Sequence, residues 1–213
     1  TFQRAAELVP YWKAFGISDV YASPYLKAVP GSKHGYDIVD HSTLNPDVGN
    51  TEDYHQFTSA LDAHGMGHIL DWVPNHMGVS SDDNAWWRDV LENGPGAKHA
   101  SYFDIDWNPP KTDLQNKVLL PVLGGQFGQV LESGQLRLEF QNGSFFVRYF
   151  SRRFPVAPPS YGRILEHRRE ELSAVIPADN PHFLEYQSIA TAISHLPPLS
   201  DTDPLKREER YRE

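Results

Sequence analysis

The segment Gly67-His68-Ile69-Leu70-Asp71-Trp72-Val73 runs straight into Pro74-Asn75-His76. A short apolar run opened by glycine and closed by proline reads as a buried β-strand. Side chains alternate along a strand, so Asp71, Val73 and Asn75 share a direction. An acid, an amide and an imidazole are therefore delivered together where a strand gives way to a loop. A second β-rich run, Ile17 to Ser23, is stopped by Pro24. Between the two strands lies a helix pattern, capped by Asn50 or Thr51, with Glu52 and Asp53 in its first turn. Tyr54, Phe57, Ala60, Leu61 and His64 form its inner face and Gly65 ends it. Strands separated by a helix predict parallel pairing through a right-handed crossover.

A helix opens the chain, with Phe2, Ala5, Ala6, Val9 and Trp12 at helical spacing, Pro10 inside and Gly16 at the stop. An opening helix with no strand before it, and Thr1 in place of Met, predict a cut N-terminus. Asp203-Pro204 starts a charged helix in which Glu213 stands last, so a cut is expected there too. Pro24 to Asn50 reads as one long loop, with turns at Pro30-Gly31 and Asn45-Pro46. It carries His34-Gly35-Tyr36-Asp37, and Asp40 as a loop brace. After His76 the alternation stops, and Trp86, Trp87, Tyr102, Phe103 and Trp107 stand among acids and glycines. Strands are predicted over Lys117 to Leu123 and Gly128 to Glu132, then a hairpin of Leu136 to Gln141 with Ser144 to Phe150 about Asn142-Gly143. Helical patterns follow from Tyr161 and from Asn180-Pro181, the latter with Phe183, Tyr186, Ala190 and Ile193 inward, before a linker-like stretch from Pro197 to Pro204.

Acids outnumber bases 28 to 19, a net charge of −9, which argues against nucleic acid as partner and suits a neutral ligand. Aromatic residues make up 12% of the chain; most fill a core, but their rings also stack on the C–H faces of sugars. Cysteine is absent, which removes disulfides and thiolate metal sites and fits a reducing cytoplasm, the compartment expected here. No run approaches the ~20 apolar residues of a membrane span, so no membrane partner is expected. His64 and His68 are four apart, but Gly65 and Gly67 break the helix that would align them as zinc ligands. Calcium is harder to exclude, but the sequence identifies no set of further oxygen ligands to go with Asn75. No metal or cofactor is expected.

Tyr36 follows a glycine and can offer its ring to a sugar, Asp37 can accept from sugar hydroxyls, and His76 can reach the mouth and donate to one. Asp71 reads as a structural carboxylate that ties loops together rather than as a catalytic group. The two loops together resemble the sugar-binding rim of the α-amylase superfamily. Within it, the chain is similar to the maltooligosyltrehalose synthases. The segments that carry the likeness are Tyr25 to Asp37, Asp71 to Gly78, Val90 to Pro95, Phe103 to Trp107 and Leu120 to Gly124. The resemblance implies a (β/α)8 TIM barrel, with residues 1–76 as its early βα units. Residues 77–213 would then be an α+β subdomain inserted after the third barrel strand and truncated at its C-terminus. It implies a maltooligosaccharide substrate whose reducing-end α-1,4 linkage becomes α,α-1,1 by retaining transfer between two carboxylates. Tyr36, Asp37 and His76 are then the substrate-binding residues, and His34, Asp71 and Asn75 organise the loops. The superfamily's nucleophile sits in an Arg-x-Asp strand motif. Arg152-Arg153 and Arg168-Arg169 fall instead in hairpin and helix contexts. The catalytic residues are therefore expected beyond Glu213, and the chain alone is expected to be inactive. A hydrolase or glucanotransferase of the superfamily would share Asp71 to His76 but lack the Phe103 and Leu120 segments. A carbohydrate-binding domain without chemistry is the reading from another class.

Overall fold

The computed structural model describes residues 1–79 and 82–212, which fall into two compact units, Thr1–Ala85 and Trp86–Glu213. The first unit opens with helix α1 (Phe2–Ala14), where the Thr1 hydroxyl caps the Arg4 amide. The helix runs on past Pro10, whose ring lies on the exposed side. Strand β1 (Asp19–Ala22) follows, then a hairpin of β2 (Leu26–Ala28) and β3 (Ile38–Leu44), helix α2 (Thr51–Ala63) and strand β4 (Gly67–Leu70). β1 and β4 pair in parallel, Asp19 beside Gly67 and Ala22 beside Leu70, as the strand–helix–strand order requires.

Helix α2 starts on a reciprocal capping box. The Asn50 side chain takes the Asp53 amide at 2.9 Å, and the Asp53 carboxylate takes the Asn50 amide at 3.1 Å and the Gln3 side chain at 2.8 Å. Such a cap contributes about 1 kcal/mol. Phe2, Val9, Tyr25, Phe57, Leu61 and Met66 form the core between the helices and the strands. Phe2 meets Tyr25 edge-on at 5.3 Å and lies 6.2 Å from Phe57. Removing a ring such as Phe57 would cost roughly 3–5 kcal/mol.

The long loop of the sequence reading contains β2 and β3, which pair antiparallel with register shifts around Lys27. Their short length and the burial pattern of β3, buried at Ile38 and Val39 but not alternating beyond, hide them from a period-two search. The predicted strand from Gly67 to Val73 pairs only to Leu70, with one further bond from the Asp71 amide to Ala22 at 2.8 Å.

The second unit contains α3 (Ala85–Asn93), which begins at the division, then α4 (Phe127–Glu132), strands β5 (Leu136–Gln141), β6 (Ser144–Tyr149) and β7 (Arg152–Pro155), and helices α5 (Tyr161–Glu166), α6 (Arg169–Val175), α7 (Pro181–Ser194) and α8 (Pro204–Arg212). The hairpin forms in the expected register, with Asn142 and Gly143 both at positive φ as a type I′ turn needs. β7 adds a third strand beside β6. Two strand predictions fail. Gly128 to Glu132 is helical because Phe127, Val130 and Leu131 sit at i, i+3 and i+4, with Val130 buried. Lys117 to Leu123 has no regular structure, and Leu119 is 71% exposed. The helix from Tyr161 breaks at Arg168, which takes a left-handed conformation at φ 58°. Arg210 of α8 is 8% exposed and donates to the carbonyls of Pro198, Asp201 and Gly96 at 2.7, 3.1 and 3.1 Å. Among the described residues no helix is long and apolar enough to cross a membrane.

Candidate functional site

Both parallel strands of the first unit point the same way, and their C-terminal ends hand over to Ser23-Pro24 and to Asp71 through His76. The β2–β3 connection folds onto this corner. Gly35 makes the turn at φ +78°, so close to the chain that a Cβ there would stand 2.2 Å from the Pro24 carbonyl oxygen. The Ser32 hydroxyl accepts from the Gly35 amide at 3.2 Å and donates to the Asp37 carboxylate at 2.5 Å. His34 accepts the Tyr36 amide on Nδ1 at 3.1 Å. Three short-range bonds thus set the direction of the tyrosine between them.

Tyr36 then spans the two loops. Its hydroxyl donates to the Asp71 carboxylate at 2.5 Å. That bond pushes the phenol above its ordinary range, with burial and the carboxylate's charge adding to it. Tyr21 of β1, 67% exposed, is pushed up in the same way by Asp71. The Asp71 carboxylate thus raises both phenols, and the hydrogen bond the geometry gives it is the one from Tyr36.

Further along, His76 Nδ1 bonds Asn75 Oδ1 at 2.7 Å. An amide oxygen only accepts, so Nδ1 carries the hydrogen, and the neutral ring presents Nε2 as an acceptor. The donor role expected for His76 from the sequence needs Nε2 to carry a hydrogen as well, so it belongs to a different state of the ring from the one this bond draws. His76 is exposed, and two residues on the Gly78 amide returns to the Ile38 carbonyl at 2.8 Å. Tyr36 and His76 therefore belong to one corner, joined on either side by Asp71 and Gly78. Asp37 has one oxygen committed to Ser32, and His34 Nδ1 is 3.8 Å from the same oxygen. Asp40 is held by Ser42 and Thr43, chiefly through the Ser42 hydroxyl, which lowers its carboxyl below the usual range. It braces its own loop.

A cavity of about 260 Å3 lies behind the loop, walled by Phe2, Trp12, Val20, Tyr25 and Phe57 with Ser32 and His34 at its edge. Tyr36, Asp37 and His76 do not line it, so this cavity is separate from the polar corner. Among the described residues no three His, Asp or Glu side chains converge as metal ligands would. The sequence reading overlooked Tyr21 and Ser32. Alternation along β1 puts Tyr21 on the same face as the side chains of Ile69 and Asp71, a signal present in the sequence once the parallel register is drawn.

The model of the alpha-amylase catalytic domain matches residues 3–156. The chain belongs to the alpha-amylase family. Its fold is accordingly of the α/β TIM-barrel type. A Mycobacterium tuberculosis protein that carries the name maltooligosyl trehalose synthase is 39% identical over 153 residues, 68% of this chain and 20% of that protein. The solved structure of maltooligosyltrehalose synthase from Arthrobacter ramosus is 38% identical, with a TM-score of 0.64, over 74% of this chain and 19% of that one. An intracellular maltogenic amylase of Bacillus subtilis is 31% identical over 111 residues, 52% of this chain and 18% of that protein. The chain spans about a fifth of the length of these relatives.

Proposed function

We propose that this chain supplies part of the substrate-binding rim of a maltooligosyltrehalose synthase, which moves the reducing-end α-1,4 linkage of a maltodextrin to α,α-1,1. The observation that carries the sugar-binding reading is the Tyr36–Asp71 bond, which ties the glycine-tyrosine-aspartate loop to the strand end bearing His76. The synthase reading is further supported by the reach of the likeness, 68% of the chain against 52% for the maltogenic amylase. In this reading the Tyr36 ring lies against the apolar face of a glucosyl unit. His76 accepts from a sugar hydroxyl on Nε2, and Asp37 accepts from another. His34, Asp71 and Asn75 hold those three in place.

The chemistry is retaining transfer, in which one carboxylate forms a glycosyl-enzyme and another serves as acid and then base. Both come from parts of the enzyme outside this chain, and the released glucose replaces water as acceptor. Residues 1–76 are the early βα units of the barrel and 77–213 an inserted α+β subdomain. The division into two compact units supports this, although it assigns the stretch up to Ala85 to the first.

The test uses maltopentaose. The longer enzyme that carries this segment lowers the reducing-sugar titre without releasing maltose or glucose, and His76→Ala slows that loss while leaving the far-UV spectrum intact. The 213-residue chain alone changes neither quantity. A rise in reducing sugar would replace the synthase with a hydrolase. Unchanged kinetics in His76→Ala would remove His76 from the rim.

A further inference from the structure

The segment after His76 does not run free; it returns at once to the neighbouring loop. The Gly78 amide donates to the Ile38 carbonyl at 2.8 Å. The α-carbon of Gly78 is pressed so closely there that a Cβ would stand 2.7 Å from the Asp37 carbonyl oxygen and 2.7 Å from Val29 Cγ2. The Asp37 carbonyl in turn accepts the Val29 amide at 3.0 Å, so the backbone it presses on is itself fixed. On its other side, the Gly78 carbonyl accepts from the Asn84 side chain at 3.0 Å. Asn84 is 0% exposed, and its amide also approaches Met77 Sδ at 3.8 Å.

A fully buried amide must be hydrogen-bonded to be tolerated, and its position is correspondingly well defined. Among the described residues of the first unit, no other buried polar side chain has 0% exposure. Gly78 therefore has its amide, its carbonyl and its α-carbon all engaged, two residues from His76 and one peptide from the Asp37–Ile38 backbone.

We propose that Gly78 and Asn84 form a clip that positions His76 against Tyr36, so that Asn84 is a positioning residue for the imidazole although it does not face the rim. The proposal rests on the sugar-binding reading for its purpose but not for its geometry. Asn84 would act through a carbonyl and a glycine on His76, eight residues away in the chain. A glycine at 78 is required by the space alone, because Asp37 and Val29 leave no room for a methyl group.

The test has two arms on the whole chain. In the first, Asn84→Leu keeps the volume and removes the donor, and Asn84→Ser is the milder change should the leucine variant not fold. Backbone amide exchange at Gly78 and the imidazole NMR signals of His76 are read in each folded variant. The expected result is exchange at Gly78 at least tenfold faster than in the parent, with the His76 signals displaced and those of helix α2 unmoved. Fast Gly78 exchange in the parent, or His76 signals unmoved in the folded variants, overturns the clip.

In the second arm, maltoheptaose is titrated against tryptophan fluorescence in the parent, His76→Ala, Asn84→Leu and the double variant. Asn84→Leu is expected to weaken binding about as much as His76→Ala, with the double variant no weaker than His76→Ala alone. Losses that simply add would show Asn84 acting elsewhere and overturn the positioning role. A parent chain that shows no saturable response removes the sugar-binding reading, while the first arm still decides the clip.

Discussion

Gly31 and Gly35 share a backbone angle, φ +78°, and differ in what surrounds them. An L-residue in the left-handed region costs roughly 1–2 kcal/mol whatever the space. At Gly31 nothing lies within 4 Å of the added Cβ, so Gly31→Ala is expected to cost that amount and no more. At Gly35 the Cβ would be 2.2 Å from the Pro24 carbonyl oxygen, a backbone atom with no rotamer to escape through. The turn or the Pro24 peptide must then move by roughly an ångström, and forced backbone shifts of this kind cost about 1–3 kcal/mol. Gly35→Ala is therefore expected to cost about 2–5 kcal/mol in total. Because Tyr36 is the next residue, the same shift pulls its hydroxyl from Asp71. Urea unfolding of the two variants gives the difference, and the tyrosine near-UV signal reports on the second effect. If the two alanines destabilise equally, the close approach at Pro24 does not hold and the argument for the turn fails.

The partly buried His68 packs against Tyr25 and Phe57, and burial lowers its pKa. An unfolded histidine takes up its proton near pH 6.5, which the folded chain resists. The stability tied to this group is present above that value and is lost as the pH falls towards the lowered folded pKa. His68→Leu is expected to flatten this part of the slope in melting temperature between pH 7.5 and 5, and an unchanged slope would assign it to other groups. In the second unit, Arg210→Met leaves the carbonyls of Gly96, Pro198 and Asp201 without their donor, at a cost of about 1–3 kcal/mol. Arg210→Lys is expected to recover little, since one ammonium cannot reproduce the planar fork, and urea unfolding distinguishes the two.

Much of the first unit was legible because its periodicity was strong. α1 and α2 fall within a residue or two of their predicted spans, and the parallel pairing of β1 with β4 follows from the order of elements alone. The hairpin at Asn142-Gly143 was equally plain, since few residues other than these tolerate two positive φ angles in succession. What escaped notice was short or out of period. β2 has three residues and an irregular register, and no local pattern announces it. The α4 segment reads as a strand because a glycine and a valine weigh against helix, whereas the helix is what buries Val130 here. At the site, residue types pointed to Tyr36, Asp71 and His76, but the bonds among them depend on register and turn geometry. The Ser32 and Asn84 contacts are local but depend on the turn geometry of their loops, and the placement of Tyr21 follows only once the parallel register of β1 with β4 is drawn.

The phenolic proton of Tyr36 is already committed inward, to Asp71. Whatever meets this ring from outside meets a flat hydrocarbon face whose polar tip is unavailable. The ring also cannot tilt independently, because its tip is moored to the opposite strand end. A ligand pressing on that face would load both connections at once, and so feel a surface stiffer than two separate loops would offer. Tyr36→Phe would keep the face and cut the mooring, separating the grip of the ring from the stiffness of its mount.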